Sequence, residues 1–163
     1  MSRQLAELEM VLEHLIAEHE KLLRQLESQQ AAMKNLDVRA MEAAADLQEG
    51  ARLRIASLET RRRSLVGQLA TGLRLSSPAT IAALAEAMPQ AKGRLLTARE
   101  RLRGLMSQIA LRAQVAGRLA GAVLGQLNTV VRLVAGAAEQ AGLYTKQGVP
   151  QVSSRIGMLE AVA

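Results

Sequence analysis

The stretch LAELEMVLEHLIAEHEKLLRQLESQQAAMKNL, residues 5–36, decides the fold class. Leu5, Leu8, Leu12, Leu15, Leu22, Leu26, Met33 and Leu36 fall at alternating three- and four-residue steps, and His19 and Gln29 fill the remaining places in the series. That spacing is the seam of a coiled coil, with Glu, Lys, Arg and Gln on the flanks as a solvated face requires. Ser2 stands where it can cap the helix start, and Glu7 and Glu9 lie near the positive end of its dipole. At 1.5 Å per residue the helix should be about 50 Å long.

Composition carries the helical reading to the whole chain of 163 residues. Of these, 49% are hydrophobic, yet Tyr144 is the sole aromatic. A pleated core would draw on aromatic and β-branched residues, whereas Leu, Ala and Met dominate here and favour helix. The absence of Cys excludes disulfides, thiolate metal sites and a thiol nucleophile. The length suits a single core.

The net charge of +6 is unevenly spread. Residues 1–50 hold ten acids and five bases, and residues 51–163 hold sixteen bases and five acids. An acidic first helix packed against basic partners would neutralise much of this internally. Met1 to Glu13 alternates Leu with Glu and lacks the apolar core of a secretory signal, so a cytoplasmic location is expected. Between Arg118 and Arg132 the run Leu119 to Val131 is shorter than the roughly 20 apolar residues of a bilayer span, so no stable membrane insertion is expected.

Asn35-Leu36-Asp37 offers the first reversal, with Asn35 tolerating a left-handed backbone and Asp37 capping the next helix. An unbroken helix through Ala40, Ala43 and Leu47 is the alternative. The second helix runs from about 37 to 72 with Leu47, Ala51, Ile55, Leu58, Leu65 and Leu69 inward and Arg52, Arg54 and Arg61 to Arg63 mainly outward. Ser77 and Pro78 mark a new start, as cap and first helical residue of a short helix over 78–87. Met88-Pro89 breaks it, and Pro89 opens a long helix over 89–141. Its inward stripe is Leu95, Leu102, Leu105, Ile109, Ala116, Leu119, Val123, Leu127, Val130 and Val134, with Arg94, Arg99, Arg101 and Arg103 outside. The fold class is therefore all-α, an elongated antiparallel helical hairpin or three-helix coiled-coil bundle. A helical domain over 1–141 is followed, after a C-cap at Gly142, by a flexible tail over 142–163.

Ala113, Gly117, Gly121 and Gly125 form one stripe on the long helix. Each Gly costs about 0.5 to 1 kcal/mol relative to Ala. Three readings stand: close packing inside the hairpin, a groove for a bound partner, or a soft segment.

No catalytic, cofactor or metal constellation emerges. His14 and His19 are five residues apart, a poor spacing for two ligands on one helical face, and the chain has no Glu-x-x-His pair. His19 reads as a buried polar residue that fixes register. No glycine cluster has the form of a phosphate loop. A nucleic-acid role would need the arginines to converge, but residues 61–63 point about 100° apart and no aromatic residues interleave for stacking.

A Leu/Glu-rich first helix, an Asp at its turn, the run Leu58-Glu59-Thr60-Arg61-Arg62-Arg63-Ser64-Leu65-Val66, a long third helix and the segment Leu143-Tyr144-Thr145-Lys146-Gln147-Gly148 follow in order. Over about residues 5–150 this resembles the FlgN family of flagellar export chaperones, which show a Leu-x-x-Arg-x-x-Leu-Leu run in the second helix and a Tyr-x-x-x-Gly step after the last. The chain departs from the family in having no Asn between Ala113 and Gly125. The resemblance implies a cytosolic type III secretion chaperone that binds the C-terminal helices of hook–filament junction proteins and delivers them to the cytoplasmic domain of the export gate. It implies gate docking by Tyr144 and client binding by Leu133, Val134, Leu143, Val149, Ile156 and Leu159. From the residues alone, Tyr144 can equally be a hydrophobic stop at a helix end. A structural coiled coil or a basic nucleic-acid-binding rod is the alternative function.

Overall fold

The computed structural model describes residues 2–76 and 78–141, and side-chain surroundings for 3–76 and 78–136. The expectations placed on Ser77 and on the segment 142–163 lie outside the described residues, as does the side chain of Ser2. The described residues form α1 (Ser2–Lys34), α2 (Val38–Gly72), α3 (Ile81–Ala87) and α4 (Lys92–Ala141), with no strand among them. The chain divides into two compact units, Met1–Ala120 and Gly121–Ala163.

In the first unit α1 and α2 form an antiparallel hairpin. Gln4 bonds to Gln68, Glu7 pairs with Arg61, Glu18 with Arg54, and Gln48 reaches the Gln25 carbonyl, so rising numbers on α1 meet falling numbers on α2. The first part of α4 runs parallel to α1, since Glu9, Glu20 and Glu27 meet Arg94, Arg101 and Arg112 in order. The acidic α1 thus supplies carboxylates to arginines of both neighbours, as the charge distribution along the chain implied. Apart from Glu18, which is buried, these side chains are partly or largely exposed, so each of the other pairs is worth up to about 1 kcal/mol and fixes alignment more than stability.

Stability resides beneath them. Leu8, Leu12 and Leu15 of α1, Leu65 and Leu69 of α2, Leu84 of α3 and Leu95 of α4 are fully buried in one cluster. Truncating any of them to Ala should cost about 2 to 5 kcal/mol, because the cavity cannot collapse against rigid neighbours.

The helix ends explain the boundaries. At the end of α1 the Leu36 amide bonds to the Met33 carbonyl and the Asp37 amide to the Ala32 carbonyl, with Leu36 at φ 54°. This is a Schellman stop whose left-handed residue is normally Gly. The turn falls where the sequence placed it, but Leu36 rather than Asn35 takes the left-handed backbone. Asp37 then caps α2, its carboxylate accepting from the Ala40 amide at 3.0 Å. α2 ends the same way, with Arg74 at φ 54° and the Leu75 amide on the Ala70 carbonyl.

Two helix starts differ from expectation. α3 begins at Ile81 rather than 78, because Thr80 is the residue that caps it, its hydroxyl accepting from the Ala83 amide at 3.1 Å. This start sends Ile81, Leu84, Ala85 and Met88 into the core. Pro89 does not open α4. Met88 leaves the helical conformation, at φ −130° and ψ 75°, as the proline after it demands, and Pro89 sits in a turn closed by the Ala91 amide on the Met88 carbonyl at 2.9 Å. α4 starts at Lys92, after the buried Ala91.

The inward stripes need three further corrections. On α1, Leu5 to Leu15, His19 and Leu26 are buried as the spacing required, but Gln30 rather than Gln29 is buried in the last third. Gln30 donates to the Arg112 carbonyl of α4 at 2.8 Å, and that bond draws it inward. On α2, Leu47 is exposed while Ala44 and Ala51 are buried, because the contact near this end is made by small residues. On α4, Leu95, Leu102, Leu105 and Ala116 are buried, but Leu127, Val130 and Val134 are exposed.

Candidate functional site

From Gly121 to Gly136 no α4 side chain is buried. Leu124, Leu127, Val130, Val131, Leu133 and Val134 are 54–68% exposed, against 8% for Leu102 and Leu105 on the same helix. At 3.6 residues per turn, Leu124, Leu127, Val130, Val131 and Val134 share an arc roughly 120° wide. Gln126, Asn128, Thr129 and Arg132 lie outside that arc. The arrangement is an amphipathic helix with its apolar face open, the form that receives or enters a helical groove. Such a contiguous apolar patch commonly marks a site of association.

Of the residues implied by resemblance, Leu133 and Val134 lie on this helix and are 68% and 63% exposed. Val134 belongs to the apolar arc, and Leu133 projects off its edge, nearer Gln126 and Thr129. Leu143, Tyr144, Val149, Ile156 and Leu159 lie outside the described residues. Leu127 and Val130 were expected on the inward stripe because their helical phase continues that of Leu102 and Leu105, and Leu124 and Val131 were placed on neither the stripe nor a site, so the sequence reading did not single out this exposed row.

The glycine stripe is open too. A methyl group placed on Gly117, Gly121 or Gly125 would meet nothing within 4 Å. Among the described residues, then, nothing approaches these glycines as close packing inside the hairpin would require.

α4 is also long and apolar enough to cross a membrane by length and composition, with a mean hydropathy of 1.3 in its most apolar window, none of which is buried. The expectation that no stretch reaches this threshold counted only the uncharged run between Arg118 and Arg132. A window that tolerates one arginine passes. No group of three or more His, Asp or Glu poised to hold a metal occurs among the described residues. His19, expected as a register-fixing residue, is 9% exposed, with its Nδ1 2.7 Å from the Leu15 carbonyl, which it meets as donor.

The described residues thus form a bundle of charge-matched helices, with an apolar face of α4 exposed. The FlgN protein family matches residues 1–151, and the chain belongs to this family of flagellar export chaperones. No curated protein and no solved structure matches it.

Proposed function

We propose that this chain is a cytosolic chaperone for hook–filament junction proteins, holding their C-terminal helices against the apolar face of α4 and delivering them to the export gate. The observation that carries the reading is the exposed row Leu124, Leu127, Val130, Val131 and Val134 in a member of an export chaperone family. A client segment that would otherwise self-associate presents an apolar stripe, and covering it with a matching face removes both from water at about 25 cal/mol per Å². The client surface continues into Leu143, Val149, Ile156 and Leu159, and Tyr144 docks at the gate. The helical domain over 1–141 carries the α4 face, and the segment 142–163 works as a docking tail.

The test is co-purification of the full chain with C-terminal segments of hook–filament junction proteins from the same organism. Leu127→Asp with Val131→Asp should abolish capture while the melting temperature stays within about 2 °C, since both side chains are exposed. Truncation after Ala141 should weaken capture. Tyr144→Ala should leave client binding and the melt intact and reduce secretion. Failure of the full chain to capture any such segment would sink the reading.

A further inference from the structure

A second surface lies within the first unit, between α2 and α4. There Ile55, Ile81, Leu102 and Met106 line a groove of about 750 Å³, whose walls carry Arg62, Arg63, Arg99 and Arg103. Ile81 and Leu102 are buried, and Met106 is 59% exposed, so the apolar floor reaches water at one end. Arg99, Arg103, Met106 and Ala110 recur at three and four residues and present one stripe of α4, about 16 Å long.

The charge of this groove is not balanced from within. Arg62 and Arg63 share Glu59, and Arg99 meets its chain neighbour Glu100. The Arg103 side chain has no acidic partner among the described residues. The α1 carboxylates that neutralise other arginines are engaged elsewhere: Glu7 on Arg61, Glu9 on Arg94, Glu18 on Arg54 and Lys21, Glu20 on Arg101 and Glu27 on Arg112. Four cations thus face two acids around an apolar floor. His19 adds one polar group to the lining; its Nδ1 is committed to the Leu15 carbonyl and its Nε2 has no partner among the described residues.

We propose that this groove docks an acidic, apolar-faced peptide helix of a partner protein, about three turns long. Apolar side chains of the occupant cover Leu102 and Met106, and its carboxylates meet Arg99, Arg103, Arg62 and Arg63, whose planar forks suit that pairing. Charge favours a partner over the chain's own C-terminal segment, since residues 142–163 carry Lys146, Arg155 and Glu160 and offer a single carboxylate side chain to four arginines. The apolar floor, without aromatic side chains for stacking, disfavours a nucleic acid. This surface is separate from the α4 face assigned to the client, and its test is independent of that assignment.

The probe is a fluorescein-labelled synthetic helix, EELLEELLEELLEE, titrated into the full chain at low ionic strength and followed by anisotropy. It should bind saturably and weaken as salt is raised. Arg99→Gln with Arg103→Gln should weaken it about fivefold or more, with a melt within about 2 °C of the native chain, because Arg103 is exposed and Arg99 is half-buried with only its exposed neighbour Glu100 as ion partner. Met106→Ser should weaken it as well. Equal binding of the same peptide with Lys in place of Glu would overturn the proposal. So would an oligothymidylate of equal charge that binds as tightly and ignores Met106→Ser. If Leu127→Asp with Val131→Asp weakens the probe as much as the arginine pair does, the peptide sits on the α4 apolar face and the groove assignment is wrong. Absence of binding at low salt would also overturn it.

Discussion

Glu18 of α1 is held across the hairpin by Arg54 of α2, with Nε 2.8 Å from Oε2, while Lys21 closes on Oε1 at 2.6 Å. Only 8% of Glu18 is exposed, so this carboxylate is one of the few charges inside the bundle. The hydrogen bond from Lys21, then that from Arg54, lowers its pKa below the ordinary glutamate value, and burial opposes them.

Linkage turns this into a pH prediction. A carboxyl with a depressed folded pKa contributes stability that is complete above its unfolded value, about 4.3, and is lost as pH falls through the folded one. The melting temperature of the native chain should therefore fall more steeply between pH 5 and pH 3 than that of Glu18→Gln, which should already be the less stable at pH 7. Parallel melting curves across that range would show that Glu18 contributes nothing to acid sensitivity.

Leu36 takes a left-handed backbone at φ 54° with its side chain 57% exposed. A residue with a Cβ pays about 1 to 2 kcal/mol there, and little packing offsets it. Leu36→Gly should stabilise the chain by about 1 kcal/mol and raise the denaturant midpoint, with some of the gain returned to the greater entropy of Gly in the unfolded chain. A lower midpoint would mean that Leu36 packs in solution in a way its exposure does not indicate.

Gln30 is buried and donates to the Arg112 carbonyl, whereas Gln29, the residue the heptad spacing selects, is only half-buried. Gln30→Ala should cost about 1 kcal/mol, and Gln29→Ala less than about 0.5 kcal/mol. Chemical denaturation of both variants reads the register directly, and equal costs would restore the unshifted seam.

That pair shows where sequence reading holds and where it stops. Period and caps carry local information, so the helical class, the turn after Lys34 with its Asp37 cap, and the buried run Leu5 to Leu15 were legible. Facing residues are set by partners distant in sequence. Gln30 moves inward because a carbonyl of α4 lies opposite, and nothing near Gln30 encodes that. Leu127, Val130 and Val134 keep the phase of Leu102 and Leu105, and periodicity alone does not separate the exposed turns of a helix from its buried ones. Thr80 caps α3, and the start at Ile81 is set by where Ile81 and Leu84 pack, which the local Ser-Pro signal does not encode. The arginine-lined groove was out of reach for the same reason, since Arg62 and Arg103 meet only once α2 and α4 are aligned.

Gly117, Gly121 and Gly125 give the last prediction. Their positions are open, so an added methyl group clashes with nothing within 4 Å. Each substitution to Ala should then gain about 0.5 to 1 kcal/mol of helix stability. Local opening controls amide exchange in an exposed helix, so exchange of the amides around residues 117–129 should slow about two- to fivefold per substitution. The same triple variant locates the partner. If client capture is retained with slower exchange, the client packs on the Leu127 side of α4 and the glycines serve to keep the helix soft. If exchange slows and capture is lost, the glycines admit the close approach of a client backbone. Faster exchange in the triple variant would contradict the open geometry itself.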